Sequence, residues 1–514
     1  RVVIGVTTAN TTTRTTYTAF GQVHTQTIGN GTALARATTF GYDRRGIVNA
    51  TAESGGGSPR TTGVKTDAFG NAYEWTDARG VVTTASYRDF GRVIVIRKAM
   101  DDTAGAGFFG ETRTTYDAWG RVVAHTDASN RTTTTAYNDS NRTVTVTTAD
   151  GVRTITTLNR HGETVEVRIP DAVRNHDGVI TGALPSERID QVTKFEYDLS
   201  GRLLRTERVG VDPSGGGAQS DYDSRGLLAW STDADGRRTI YRYDAAGRLL
   251  ESILDPSAAD ATAFGITDPA GYSAQPLRIH TLIRVDGQGR TVEMTDGAGT
   301  VTRYEYDRAG QQTKVIVDPN GLKLQTVIER DALGQTVFVR EGDATNQNLK
   351  VTRYEYDELG RRTAERVDPD RLNLTTTYRY DANDNVVAKV DPANRTTRYV
   401  HDAENRLRFV IDPLNGVEET RYDLAGRKIE SLRYTQAASL TAGEIATIDA
   451  GGADAPRGVL SPKLAGAPAI RERYQYDAGG QLERVTLPLI CPEGEAYEPG
   501  RQRDDTRGLI DRAS

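Results

Sequence analysis

The sequence predicts an all-β protein in which tandem two-stranded units wind into a spiral sheet. Three observations support this prediction: side chains alternate with a period of two, turn residues follow at short intervals, and one motif recurs along the chain. The 52 glycines among 514 residues suit a chain with that many turns. Because the units repeat, we expect one continuous array instead of several globular domains.

Residues 302–317 illustrate the two strands of one unit. Tyr304 and Tyr306 fall on one face of an extended strand, and Arg303 and Glu305 fall on the other. Residues 312–317 form a second strand. The alternation predicts a sheet with one Tyr, Val and Leu face and one Arg, Glu and Thr face, wound so that units above and below pair.

Two turns complete the unit. Asp307 begins an Asp-x-x-Gly turn, in which its carboxylate bonds the backbone N–H two residues on and Gly310 adopts a positive φ. Asp318 begins the second turn, where Pro319 fixes φ and we expect residues 320–321, Asn-Gly, to supply the left-handed positions. The unit is therefore strand, turn, strand, turn.

The first turn recurs with a base period of 21 residues, as from Asp286 to Asp307 and from Asp402 to Asp423. A gap after Asp139 predicts a degenerate copy at residues 159–162, with Arg160 in place of the Asp, and a second degenerate copy is expected between Asp255 and Asp286. The predicted motif Asp residues are Asp43, Asp67, Asp89, Asp117, Asp139, Asp198, Asp223, Asp244, Asp286, Asp307, Asp331, Asp357, Asp381, Asp402, Asp423 and Asp477.

Many copies have the form Tyr-Asp-x-x-Gly, often followed by Arg, and this motif resembles the YD repeat of the Rhs family. The copies taken to define the structural turn motif are Tyr116, Asp117 and Gly120; Tyr243, Asp244 and Gly247; Tyr306, Asp307 and Gly310; Tyr356, Asp357 and Gly360; and Tyr422, Asp423 and Gly426. The family includes bacterial Rhs toxins, the cocoon-forming components of insecticidal Tc toxin complexes, wall-associated proteins and teneurins. The resemblance implies that the sheet curls into a hollow shell.

Departures from the repeat predict the organisation of the chain. We expect irregular Thr-rich repeats in residues 1–64, and a regular array in residues 65–433 with a loop insertion near residues 164–192. Residues 434–472 form a second insertion, in which a capping box beginning at Thr441 predicts a short helix near residues 441–448 and residues 449–469 a long loop. Residues 473–514 hold the last repeat and a fading end. We expect the chain to be a segment of a longer protein.

Composition argues against two classes of partner. The net charge is −6, with 64 basic residues interleaved among 70 acidic ones, so no basic field for nucleic acid is apparent. No apolar run approaches the ~18 residues of a membrane-spanning helix. A single cysteine, Cys491, excludes an internal disulfide framework.

Residues whose side chains could act in catalysis recur at fixed turn positions. They do not occur once each in a distinctive cluster, as the groups of an active site do. The Asp residues invite a glycosidase hypothesis, but they occupy turns in copy after copy. Residues 381–385 place Asp or Asn at alternate positions, yet Val386 and Pro392 stand where a calcium loop needs Gly and Glu. The six histidines share no ligand spacing. We therefore predict no catalytic, cofactor-binding or metal-binding residues, and no enzymatic activity.

Two functions remain. By resemblance, the first is a non-enzymatic shell that encapsulates and delivers a C-terminal toxin polypeptide in bacterial competition or virulence. The second is an extracellular adhesin or filament-like interaction protein built from the same repeats, with a cell-surface partner. Both imply a secreted or cell-surface location, and family analogy favours the first.

Overall fold

The fold is known from a computed structural model, which describes residues 3–8, 11–29, 35–54, 60–102, 105–173, 188–209, 217–266, 272, 275–343, 349–451, 454–477 and 480–487. These residues form one sheet of 37 strands.

The strands of the first half are β1 Val3–Thr8, β2 Thr11–Tyr17, β3 Val23–Ile28, β4 Arg36–Tyr42, β5 Val48–Ser54, β6 Arg60–Thr66, β7 Ala72–Thr76, β8 Val82–Arg88, β9 Val93–Asp102, β10 Gly105–Tyr116, β11 Val122–Thr126, β12 Thr132–Asn138, β13 Thr143–Thr147, β14 Arg153–Leu158, β15 Thr164–Val173, β16 Arg188–Tyr197, β17 Leu203–Val209, β18 Gly217–Tyr222, β19 Leu228–Thr232, β20 Arg238–Tyr243 and β21 Leu249–Leu254.

The strands of the second half are β22 Ile279–Val285, β23 Thr291–Thr295, β24 Val301–Tyr306, β25 Gln312–Val317, β26 Leu324–Arg330, β27 Thr336–Gly342, β28 Lys350–Tyr356, β29 Arg362–Val367, β30 Leu374–Tyr380, β31 Val386–Val390, β32 Thr396–His401, β33 Leu407–Ile411, β34 Val417–Tyr422, β35 Lys428–Tyr434, β36 Ala469–Tyr476 and β37 Leu482–Thr486. The helices are α1 Ala258–Ala263, α2 Ala442–Asp449 and α3 Asp454–Leu464, with a 3-10 turn at Asp89–Gly91.

Each strand pairs antiparallel with the strand that follows it in the sequence, so the sheet is a continuous ribbon. Within the described part of the chain, β1 has only β2 as a strand neighbour and β37 only β36, so the ribbon does not close by strand pairing. The all-β spiral predicted from the sequence is confirmed. Units above and below meet through side chains of their turns and not through strand pairing.

The two faces of the ribbon are less distinct than the sequence pattern suggested. Tyr304 lies opposite Val315, as predicted, but Arg303 lies opposite Ile316 on the other face. Thr residues occur on both faces. Thr326 lies opposite Val315, on the face that carries Tyr304, whereas Thr377 lies opposite Ala364, on the other face. Both faces are therefore mixed, which suits a ribbon that buries neither face along most of its length.

A single layer of sheet leaves much surface in contact with solvent. The chain exposes 31924 Å², whereas a compact monomer of 56.0 kDa would expose roughly 18,000 Å². Hydrophobic cores form where helices cover the sheet. The larger core joins Phe409 and Ile411 of β33 to Ile448 of α2 and Leu460 of α3, and a smaller one lies around Ile240 beside α1.

The helices confirm one prediction and correct two others. Helix α2 begins at the predicted capping box, in which Thr441 and Glu444 bond each other's backbone N–H. The long loop expected in residues 449–469 is wrong, because α3 occupies much of it and packs Leu460 and Leu464 into the larger core. The degenerate repeat expected between Asp255 and Asp286 is also wrong, since α1 follows β21 and β21 pairs directly with β22.

The predicted loop insertion near residues 164–192 is corrected in part. Strands β15 and β16 extend through Val173 and from Arg188, so they form a long hairpin that belongs to the ribbon. The part of that prediction at residues 174–187 lies outside the described residues, as do Cys491 and most of the predicted fading end.

Three predicted copies of the motif also differ in detail. At residues 159–162, Asn159 takes the role of the Asp, because its Oδ1 accepts hydrogen bonds from the backbone N–H of His161 and of Glu163, so Arg160 is not the replacement. Asp89 has a φ of 50° in the 3-10 turn, and the turn after β12 is bonded through Asn138 instead of Asp139. In both places the chain turns without the Asp-x-x-Gly bonds.

Candidate functional site

The repeated turn is built on one carboxylate that accepts two backbone hydrogen bonds. In the copy at Asp357, Oδ1 accepts from the N–H of Leu359 at 3.0 Å and from the N–H of Arg361 at 2.9 Å. Gly360 has a φ of 82°, a conformation that glycine adopts more readily than other residues. The other glycines chosen from the sequence have φ values of 78° at Gly120, 80° at Gly247, 85° at Gly310 and 82° at Gly426.

The second kind of turn differs from its prediction. At residues 318–323 the left-handed residues are Asp318, with a φ of 51°, and Lys323, with a φ of 53°, instead of the Asn-Gly pair. Asp318 accepts hydrogen bonds from the N–H of Gly321 and of Leu322 through its two carboxylate oxygens. The Asp318 carboxylate therefore holds this turn. Pro319 comes before Gly321 and Leu322, the residues whose N–H groups the carboxylate binds.

In several copies, an Arg four residues after the motif Asp links the turn to the next one. Arg361 donates from Nε to Asp357 Oδ2 at 2.7 Å and from Nη1 to the carbonyl of Asp381 at 2.9 Å. Its guanidinium carbon lies 4.9 Å from the centre of the Tyr380 ring. Five other arginines lie over the Tyr ring of the next turn in the same way: Arg121, Arg202, Arg290, Arg406 and Arg427.

The motif Tyr hydroxyl bonds the preceding repeat. Tyr306 donates to the carbonyl of Thr291 at 2.7 Å, Tyr356 to that of Thr336 at 2.7 Å, and Tyr422 to that of Leu407 at 2.9 Å. The acceptor always lies five residues after the previous motif Asp, where a bulge shifts the strand register. A bulge interrupts the ladder, so the Tyr hydroxyl satisfies a carbonyl there. The remaining chosen tyrosines, Tyr116 and Tyr243, end β10 and β20 at the equivalent position.

Together these contacts form a ladder along one edge of the ribbon, called here the motif edge. The backbone N–H of Arg248, more than its guanidinium, holds the pKa of Asp244 below its ordinary value, against the opposing effect of desolvation. The structural role of the chosen Tyr, Asp and Gly residues stays a prediction. The Arg directly after the motif Gly was noted in the sequence, but no role was predicted for it.

The opposite edge of the ribbon, called here the far edge, contacts the motif edge of a later winding. Arg36 Nη1 donates to the carbonyl of Leu359 at 2.9 Å, across 323 residues of sequence. Arg79 Nη2 donates to the carbonyl of Asp402 at 2.7 Å, again across 323 residues. Because separate contacts repeat the same separation, the ribbon completes one winding in about that length and stacks on itself in register.

The contacts between windings, called here the seam, are charged and partly buried. The side chains of Arg79 and Asp381 are 2% and 3% exposed, with Nη1 and Oδ2 3.5 Å apart. Asn383 Nδ2 donates to Asp77 Oδ2 at 2.7 Å, and Lys98 Nζ lies 3.5 Å from Glu404 Oε1. A fourth pair joins Arg60 to Asp384. The sequence predicted that units above and below pair but not which residues meet, because nothing local in the sequence marks contacts between turns so far apart.

The described residues hold no group of His, Cys, Asp and Glu that could bind a metal ion. In the part of the chain that the structure describes, no helix is both long and apolar enough to span a membrane.

A single-layer β ribbon with Tyr-Asp turns along one edge defines a class of repeat protein, and comparison with known families gives the same result. The family model described as RHS Repeat matches residues 116–153, 222–259, 285–323 and 380–414. Each match starts at the residue before a motif Asp, so the model and the structure divide the chain at the same turns. Four segments of the chain are therefore RHS repeats, and the resemblance to the Rhs/YD-repeat family that the motif predicted is confirmed.

Two curated relatives, one named as a toxin and one as a nuclease, are much longer than this chain. The chain is 28% identical over 228 residues to the double-stranded DNA deaminase toxin A of Burkholderia cenocepacia (strain H111), a match to 43% of this chain and 13% of that protein. It is 32% identical over 104 residues to the tRNA nuclease WapA of Bacillus subtilis (strain 168), a match to 20% of this chain and 4% of WapA. The matched regions are therefore small parts of the relatives.

Solved structures show the same fold. The crystal structure of TcdB2-TccC3-Cdc42 aligns with 94% of this chain and 29% of its own, with a TM-score of 0.51 and 14% identity. The crystal structure of TcdB2-TccC3 without its hypervariable C-terminal region aligns with 95% of this chain and 29% of its own, with the same TM-score and identity. At this identity the likeness shows a shared fold.

Proposed function

We propose that this chain forms part of the wall of a non-enzymatic container that encloses a C-terminal toxin polypeptide and delivers it in bacterial competition or virulence. The observation that carries the proposal is the seam. A ribbon that stacks on itself in register, with a buried Arg79–Asp381 pair between windings, makes a continuous wall instead of an open strip.

The contacts at the seam suit a wall that must stay shut. Removing one partner of a buried ion pair costs about 3–5 kcal/mol, because the other charge is left buried without compensation. Exposed ion pairs contribute far less. An adhesive strip would have no need to bury charges between distant repeats, so the seam favours the container over the surface adhesin.

The comparisons support a polypeptide as the cargo. Two relatives are named as toxins or nucleases, and the chain matches only small parts of them. One fold neighbour has a hypervariable C-terminal region that was removed for one structure. We place the toxic activity in a segment of that kind and the walls in the repeats, with the protein secreted or exposed at the cell surface.

The positions of the polar residues in the repeats support a non-enzymatic role. The motif Asp carboxylates accept backbone hydrogen bonds and an Arg, which leaves them committed to the turns in copy after copy. A catalytic site needs a nucleophile, a base and an orienting group in one distinctive cluster. The repeats distribute one contact pattern along an edge instead.

Protection from proteolysis tests the proposal. The C-terminal toxin polypeptide that this proposal assigns to the enclosed region, expressed together with this array, is expected to resist added protease, whereas the same region alone is digested quickly. Replacing Arg79 with Gln should open the seam and raise the digestion rate of the enclosed region by roughly tenfold or more, given the cost of an unpaired buried charge.

The matched control is Arg284→Gln, since Arg284 is 72% exposed and pairs with Glu293 away from the seam. It should leave protection unchanged. Equal digestion of the region with and without the intact array would reject the container and leave the adhesin, with its cell-surface partner, as the better function.

A further inference from the structure

Three turns of the motif edge carry a large apolar side chain that is exposed to solvent. Phe20, Phe69 and Trp119, called here the rim row, are 90%, 91% and 76% exposed, and each lies two residues after the first residue of its turn. These turns join β2 to β3, β6 to β7 and β10 to β11, so neighbouring members of the row are four strands apart. Four strand spacings of about 4.8 Å separate them by about 19 Å along the edge.

The far edge carries a second row with the same spacing. Leu322, Leu372 and Leu414, called here the leucine row, are 71%, 71% and 83% exposed. They lie in the connections from β25 to β26, from β29 to β30 and from β33 to β34, which are again four strands apart. A single exposed apolar residue needs no explanation, but two equally spaced rows on opposite edges are not random scatter.

The seam shows which position of a turn faces a neighbouring winding. Leu359 lies two residues after Asp357, the position that Phe69 and Trp119 occupy in their own turns, and its carbonyl accepts a hydrogen bond from Arg36 of the far edge. Leu359 is partly buried there, whereas the rim row is exposed. A far edge placed against the rim row would therefore cover Phe69 and Trp119 as the seam covers Leu359.

The two rows lie in the same sector of the spiral. One winding takes about 323 residues, so Leu322 stands over the start of the first winding, and Leu372 and Leu414 follow it over the stretch that carries the rim row. The rim row belongs to the motif edge of the first winding and the leucine row to the far edge of the second, and both edges lie outside the seam. A copy stacked along the spiral axis therefore brings one row against the other.

We propose that these rows dock copies of this chain head to tail, with the rim row of one copy against the leucine row of the next. Three aromatic side chains bury about 150–250 Å² each when covered, so the rim row alone supplies roughly 450–750 Å² of the ~800 Å² that each partner buries in a standard interface. Because two different edges meet, the terminal copies keep a free row and the stack stays open to further copies. The stacking rests on the geometry of the seam and not on the container function.

Sedimentation velocity of the full chain over a concentration series tests the stacking, and we expect the average mass to rise beyond that of a dimer. The rim variant is Phe69→Ser with Trp119→Ser, and the leucine variant is Leu322→Ser with Leu372→Ser. Each should raise the Kd of association by about thirtyfold or more, the scale of an interface hot spot. Val485→Ser, at an exposed residue of β37 outside both rows, should leave association unchanged. Thermal melts verify that each variant is folded.

Mixing the two double variants tests the pairing of the rows directly. The rim variant keeps its leucine row and the leucine variant keeps its rim row, so an equimolar mixture should form a dimer of one copy of each and grow no further. A native chain that stays monomeric, association that survives in either double variant, or a mixture that gives no dimer overturns the proposal. Flotation of a monomeric native chain with phosphatidylglycerol vesicles would also overturn it, in favour of a lipid surface as the occupant of the rows.

Discussion

At the scale of single residues, the repeat works by assigning each polar side chain a fixed backbone partner. The motif Asp satisfies two amides of its own turn, and the Tyr hydroxyl satisfies the carbonyl that a bulge would otherwise leave free. These local roles could be predicted for Asp357 and Gly360, because turn chemistry depends on neighbours in sequence. The role of the Tyr hydroxyl could not, because its acceptor lies one repeat earlier.

The Tyr hydroxyl gives a sharp test at this scale. Tyr306→Phe removes only the oxygen that donates to Thr291, so we expect the free energy of unfolding to fall by about 0.5–1.5 kcal/mol. Tyr304→Phe is the control, since Tyr304 lies on the same strand and face and its hydroxyl makes no hydrogen bond among the described residues. Urea unfolding of both variants measures the difference. Equal losses would show that the hydroxyl contributes nothing specific.

At the scale of elements, the strands follow from sequence periodicity, whereas of the three helices α1, α2 and α3 only α2 was predicted. Helix α2 carries its own start signal in the pair Thr441 and Glu444. Helix α3 contains Gly458 and Pro462, which disfavour a helix by local propensity. Its stability comes from Leu460, which is fully buried against the sheet. Tertiary packing therefore overrides the local signal, and no sequence pattern reveals it.

Burial of α3 leads to a prediction for this element. Leu460→Ala should cost about 2–5 kcal/mol locally, because it leaves a cavity in the core that joins α2 and α3 to the sheet. Leu414→Ala makes the same chemical change at a residue 83% exposed and should cost little. Hydrogen exchange of the α2 and α3 amides measures the effect. Unchanged protection in Leu460→Ala would mean that the helices are held by other contacts.

At the scale of the whole molecule, the windings meet through side chains of turns instead of through strand pairing. His401 stands where most repeats have the motif Tyr, directly before Asp402, whose backbone carbonyl accepts from Arg79 across the seam. Burial lowers the pKa of His401; Arg79 reinforces that shift, and Asp381 and Asp402 oppose it. The repeat pattern predicted a spiral, but which turns meet depends on curvature accumulated over many strands.

The lowered pKa of His401 predicts a pH dependence. The folded state favours the neutral imidazole, so its contribution to stability is fully present above the unfolded pKa of about 6.5 and is lost as the pH falls toward the lower folded value. We expect Tm to fall between pH 7 and pH 5, above the range in which ordinary carboxylates titrate. His401→Gln should flatten this slope, while His125→Gln, at an exposed position, should not. An unchanged slope in His401→Gln would exclude the seam histidine as its cause.

The separation of about 323 residues between seam partners also has a consequence for synthesis on the ribosome. Each hairpin can form as soon as its second strand has emerged, because every strand pairs with its immediate successor. At about 5–20 residues per second, the partner of Arg79 emerges roughly 15 to 65 s later. The nascent first winding must therefore persist for that time with its far edge uncovered, and a chaperone that recognises this edge would have a defined interval in which to act.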